Sequence, residues 1–223
     1  MKRLLPIFTL LMILSCSSPK GTEEYAKKIF NEGVSLSLDA VDAFARGDYA
    51  HSEELNKKAI EKFIETIKID STHKIASGAL GHSYYLTRNF DEATKWFEKA
   101  IMIDSSVAVN YREYGLCKIN HGDISGGIKE IKKAFQIDNS EEMKQMTVSD
   151  LMDIGYLAFD YGNSYEEQGE KETGMNYKQF SVYVLISAHE IDSTNTEIVQ
   201  SIVDYAKLID ETKIVEKYSC YVE

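Results

Sequence analysis

Proline is nearly missing from this chain: Pro6 and Pro19 are the only two, and none follows residue 20. Proline breaks helix interiors, so everything downstream can run as helix without interruption. Cysteine is scarce, with Cys16, Cys117 and Cys220 at spacings that suggest neither a disulfide framework nor a thiolate metal site. His51, His73, His82, His121 and His189 include no pair four residues apart, so no metal is expected. Gly122, Gly126 and Gly127 are not followed by Lys-Ser or Lys-Thr, which excludes a phosphate loop. The carboxylates from residue 138 onward lack the glycine and terminal glutamate of a calcium loop. No serine stands in a nucleophile-elbow context. The chain is therefore read as non-enzymatic, without cofactor. Basic residues are in deficit, 25 Lys and Arg against 36 Asp and Glu, for a formal charge of −11. Such a chain repels phosphate backbones, so no nucleic-acid partner is expected. Long apolar runs are absent as well; Leu4 to Leu14 is about half the ~20 residues of a bilayer span.

What that short run offers is a leader. Lys2 and Arg3 precede it, and Ser15 and Cys16 close it, the anatomy of a secretory signal. The closing "ILSC", Ile13 to Cys16, resembles the lipobox of bacterial lipoproteins. That resemblance implies cleavage before Cys16 and a diacylglycerol on its sulfur, for which a thiolate is a good nucleophile. The alternative is an ordinary signal peptide cleaved elsewhere, leaving a free cysteine. Residues 1–15 are thus read as a signal peptide and 16–22 as a tether. Ser17, rather than aspartate, after the cysteine favours the outer membrane over the inner, and "SCSS" with a Lys/Ile/Asn-rich composition suits a Bacteroidota lipoprotein.

Beyond residue 22 the chain repeats. Ile69-Asp70, Ile103-Asp104 and Ile137-Asp138 are 34 residues apart, and Ile191-Asp192 is a fourth copy. Each is followed by small polar residues whose side-chain oxygens can stop one helix and cap the next. Within 74–107, Leu80, Gly81 and Tyr84 fall on one helix and Ala93, Phe97 and Ala100 on the next, small residues allowing close approach and large ones filling it. The pattern resembles the tetratricopeptide repeat, a 34-residue helix-turn-helix unit. Residues 108–141 repeat it with Tyr111, Tyr114-Gly115, the turn Gly122-Asp123, Gly127, Ile131 and Ala134. In the first copy (23–73) and the last (150–194), the turns Gly47-Asp48 and Gly169-Glu170 come seven residues early, which predicts lengthened second helices. Residues 141–150 read as an insertion, and 195–223 as one amphipathic helix and a tail capping the stack. The expected fold is an all-α solenoid of about four helical hairpins in one domain over 23–223.

In this family the first helix of each repeat lines a groove that receives partner peptides. By position, the resemblance assigns Ser37, Val41 and Phe44 to that groove, then His82 and Tyr85, then Arg112, Leu116 and Ile119, then Tyr156, Phe159 and Asn163. One arginine and one asparagine in different repeats do not match the family's carboxylate clamp. The "RGD" at Arg46 to Asp48 is a hairpin turn, not an adhesion motif. Asp70-Ser71-Thr72 and Asp192-Ser193-Thr194 resemble acceptor motifs for O-glycosylation at Ser71 and Ser193 in exported Bacteroidota proteins. The expectation is an outer-membrane lipoprotein serving as a protein–protein scaffold. The alternative is a module that binds a small apolar molecule or glycan among Tyr156, Phe159 and Tyr161.

Overall fold

A computed structural model describes residues 19–221; the signal segment, Cys16 and residues 17–18 lie outside it. Among the described residues ten helices follow one another: α1 (Pro19–Ala45), α2 (Tyr49–Ile69), α3 (Ala76–Leu86), α4 (Phe90–Ile103), α5 (Ala108–Asn120), α6 (Ile124–Ile137), α7 (Glu141–Glu167), α8 (Lys171–Ile191), α9 (Thr196–Leu208) and α10 (Thr212–Tyr218). There is no strand among the described residues. Residues 19–22, assigned to the tether, form the first turn of α1.

The hairpins turn where the sequence supplies the backbone they need. Gly47, Gly122 and Gly169 take φ values of 78°, 89° and 88°, a left-handed conformation that only glycine adopts freely. Asp48 and Asp123 then accept the amides of His51 and Gly126 at 3.2 and 2.9 Å, capping α2 and α6. In the second hairpin Arg88 takes the glycine place at φ 58°, and Asn89 caps α4. Between hairpins, Asp70, Asp104, Asp138 and Asp192 end their helices, each carboxylate accepting the amide two residues on at 2.9–3.0 Å. These are Asx turns. The small polar residue caps the following helix only at Ser140 on α7 and Asn195 on α9; α3 and α5 have no side-chain cap.

One close approach recurs in every hairpin. A Cβ on Gly33, Gly81, Gly115 or Gly155 would lie 2.7, 2.8, 2.6 or 2.9 Å from Phe63, Phe97, the Gly127 carbonyl or Leu185. Gly155 is the fourth repeat's landmark, since Leu185, like Phe63, Phe97 and Ile131, stands seven residues before the helix-ending aspartate. Measured from these glycines, α1 and α7 run seven residues further than α3 and α5 before they turn. Their partners α2 and α8 are 21 residues long against 14 for α4 and α6. Hairpins one and four are thus taller by about two helical turns, ~10 Å. The stretch 141–150 is helical, not a separate loop: it is the start of α7, which begins 14 residues before Gly155 where α5 begins seven before Gly115, and its Met143 packs on Ala108 and Ala134. Its buried positions Met143, Thr147 and Leu151 continue one helical stripe into the core.

The largest core unites Leu116, Ile119 and Ile131 with Leu151, Leu185, Ile198 and Ile202. A smaller one joins Phe63 to Ala76 and Leu80 across the first two hairpins. The cap is two helices and a 3-10 turn (Ser219–Tyr221) rather than one helix and a tail, with Tyr218 buried beneath it.

Candidate functional site

The first helices of hairpins two, three and four meet in one polar network. His82 on α3 donates from Nδ1 to both carboxylate oxygens of Glu113 on α5, at 2.9 and 3.0 Å. Arg112, its neighbour, points a guanidinium nitrogen at Glu113 from 3.7 Å, pairs with Asp150 on α7, and donates from Nε to the Thr147 hydroxyl at 3.2 Å. Thr147 in turn donates to the Met143 carbonyl at 2.7 Å. Arg112 and Glu113 are each only 6% exposed. Burial lowers the His82 pKa, but the hydrogen bond and charge of Glu113 outweigh it, and the imidazole ends above its usual value. Burial raises the Asp150 carboxyl further than Arg112 lowers it. Burial, with the nearby Asp150 and Glu113, holds the Tyr85 hydroxyl protonated well above its usual range.

His82, Tyr85 and Arg112 are thus brought together, but Arg112 is spent on two carboxylates inside the protein. Sequence reasoning missed Glu113, Thr147 and Asp150. Asp150 was hidden by reading 141–150 as an insertion; a helical continuation would have placed it beside Arg112. Leu116 and Ile119 are fully buried core residues, not groove residues: Ile119 packs on Gly127 of its partner helix α6, and both join the cluster that holds Ile131 and Leu151. Beside His82 and Glu113 lies a cavity of about 340 Å³, walled by Ile75, Val109 and Asn110.

The aromatic residues of the fourth repeat are covered from within. Tyr205 of α9 stacks on Phe159 with ring centroids 3.7 Å apart, and meets Tyr156 edge-on at 6.3 Å. The Tyr156 hydroxyl lies 3.2 Å from both Glu197 and Ser201. Tyr161 sits apart, edge-on to Tyr177 of α8 at 6.1 Å. The space that a small ligand would need between Tyr156 and Phe159 is therefore taken by Tyr205. Asn163 is half-buried on α7, away from Arg112 in sequence and partner. Ser71 and Ser193 are exposed on the inter-hairpin turns. Cys117 is buried, its thiol pushed up to about 12 chiefly by desolvation, and Cys220 is exposed; both are free. Among the described residues no group of His, Cys, Asp or Glu is placed to hold a metal ion, and no helix is long and apolar enough to cross a membrane.

The open feature is a cleft of about 940 Å³ where tall hairpin one stands above the turn of hairpin two. Val41, Phe44 and Tyr49 form one wall and Leu86 the other, 54, 62, 64 and 43% exposed. Phe44 and Tyr49 meet edge-on at 5.2 Å. Of the residues assigned to the groove, Val41 and Phe44 line this cleft.

A family model described as tetratricopeptide repeat matches residues 76–106, the second hairpin and its inter-hairpin turn. The second hairpin is a tetratricopeptide repeat. This repeat protein is similar to the small glutamine-rich tetratricopeptide repeat-containing protein 2 of Saccharomyces cerevisiae, 28% identical over 141 residues, 58% of this chain and 40% of that one. It thus spans about two fifths of that relative's length. Among solved structures it is similar to MamA, at 15% identity and a TM-score of 0.49, covering 91% of this chain and 88% of that one. It is also similar to YrrB, described as a TPR protein with an unusual peptide-binding site, at 10% identity and a TM-score of 0.47 over 90% of each chain.

Proposed function

We propose that this repeat protein is a scaffold of the bacterial envelope, anchored in the outer membrane by acyl chains on Cys16, that holds a partner protein in the cleft beside Phe44. The observation that carries the reading is the bare apolar wall of Val41, Phe44, Tyr49 and Leu86. Large apolar side chains left exposed side by side mark interaction sites on folded proteins. Of the other first-helix positions, Leu116 and Ile119 are committed to the core and Arg112 to the ionic network. An anchor fits the short apolar run that ends at Cys16, since one span is too long for it and two or three acyl chains suffice.

The test is a photo-crosslinking amino acid at Phe44 in the native membrane, with Tyr161 as control. One dominant envelope protein captured at Phe44 and not at Tyr161 is the expected result. Capture at neither position would remove the cleft as the docking site. For the anchor, mass spectrometry of the N-terminal peptide should show an acylated Cys16; an unmodified thiol there would overturn it. The exposure of Ser71 and Ser193 suits glycosylation, and glycan-free peptides covering both in native material would rule it out.

A further inference from the structure

Resting on that reading, we infer that the occupant of the cleft is an amphipathic helix of the partner, about two turns of apolar face with basic flanks. Its shape follows from what the protein places on the same wall. Phe30, Val34, Ser37, Val41 and Phe44 make one line along α1 at spacings of three and four residues. Phe30 and Val34 are covered in the core with Ala76 and Leu80 of helix α3. α3 stops at Leu86, and Val41 and Phe44 beyond it are bare. A second helix laid in the line of α3 would continue an interface the fold already uses. The uncovered length is the seven residues by which hairpin one exceeds its neighbour.

The chemistry of the flanks follows from charge. Four ionic side chains line the cleft: Glu53, Lys57, Glu61 and Arg88. Lys57 is closed on Glu53 at 2.7 Å, and Arg88 lies over the Phe90 ring at 5.8 Å. Glu61 is left facing the cleft, on a hairpin end (residues 37–61) that carries six acidic residues against three basic ones. Asn56, 7% exposed, also lines the cleft, and its amide oxygen has no hydrogen-bond partner. A buried amide left unfinished favours an occupant that brings a donor, as lysine and arginine do. The whole chain's charge of −11 attracts the same partner from a distance.

The experiment uses the protein as purified from its own cells, in zwitterionic nanodiscs, with the photo-crosslinker at Phe44. Two synthetic helices are offered, with the same leucine face at i, i+3, i+4 and i+7, one flanked by lysines and the other by glutamates. The lysine-flanked peptide should be captured at least about tenfold more than its twin, an advantage that shrinks in 0.5 M salt, roughly, as screening shortens to a few ångströms. Val41→Asp should abolish capture, and Asp42→Lys with Glu61→Lys should bring the two peptides to about equal yield. These positions are exposed, so the fold tolerates the changes. Equal capture of both peptides by the unaltered protein, or equal capture at a Tyr161 probe, overturns the inference. So does an adduct of two copies of this chain, which would make the cleft a self-association face. If neither peptide is held while a native protein is still captured at Phe44, the scaffold stands and the basic helix falls. If nothing is captured at Phe44, both fall.

Discussion

At Arg88 the chain asks a side chain to do what glycine does at Gly47, Gly122 and Gly169. A left-handed L-residue costs about 1–2 kcal/mol, against roughly 0.5–1 kcal/mol for glycine's greater freedom when unfolded. Arg88→Gly should therefore stabilise the protein by about 0.5 kcal/mol after the lost contact with Phe90, read as a higher urea midpoint at unchanged slope. Arg112 shows the opposite sensitivity. Its side chain neutralises two carboxylates in a buried place, so Arg112→Met leaves them uncompensated and should cost about 3 kcal/mol. Replacing Asp150 by asparagine in the same chain should return part of that loss. The network also sets a pH dependence. The folded His82 pKa lies above its unfolded value near 6.5, so its pairing with Glu113 stabilises fully below that pH and is lost as pH rises through the folded value. The Asp150 carboxyl is raised as well, so its ionisation also weakens the fold with rising pH, in a lower window. Because the His82 side chain is 46% exposed, solvent screens the effect. His82→Gln should remove the slope near neutrality in urea titrations at several pH values, while the lower one persists.

Helices and hairpins were legible wherever local chemistry decides them. The Gly-Asp turns and the Ile-Asp steps are short-range signals, and the lengthened α2 and α8 follow from the position of those turns alone. The 34-residue template failed at α7, where the first helix is also lengthened and no loop separates 141–150 from the rest. The Ser140 cap and the four-residue spacing of Met143, Thr147 and Leu151 were the available signs. Site residues were legible only as far as their helix. A first helix offers one stripe to the groove and an adjacent one to the next hairpin, and which is which depends on how neighbouring hairpins are offset. Leu116 and Ile119 fell on the buried side, Phe44 on the open side, and Phe159 met Tyr205 from a cap whose packing no local pattern foretold.

Across the whole molecule, two tall hairpins and two short ones share one stack, and at the turn end the difference is seven residues per helix. Seven residues return a helix almost to its starting face, with a drift of about 20°. Hairpin height in this protein is therefore quantised: a unit may be added or removed while every neighbour keeps its contacts, and no fractional step has that property. Excising residues 38–44 and 50–56 together takes one unit from each helix of the first hairpin, and keeps the Gly47 turn and the Asp48 cap. The shortened chain should fold with unchanged helicity per residue and a single urea transition, yet lose all capture of partner. In such a stack binding surfaces can be gained or lost by length alone: the excised unit takes its own small core of Ala40, Ala43 and Leu55 with it and leaves the cores shared with the neighbouring hairpins untouched.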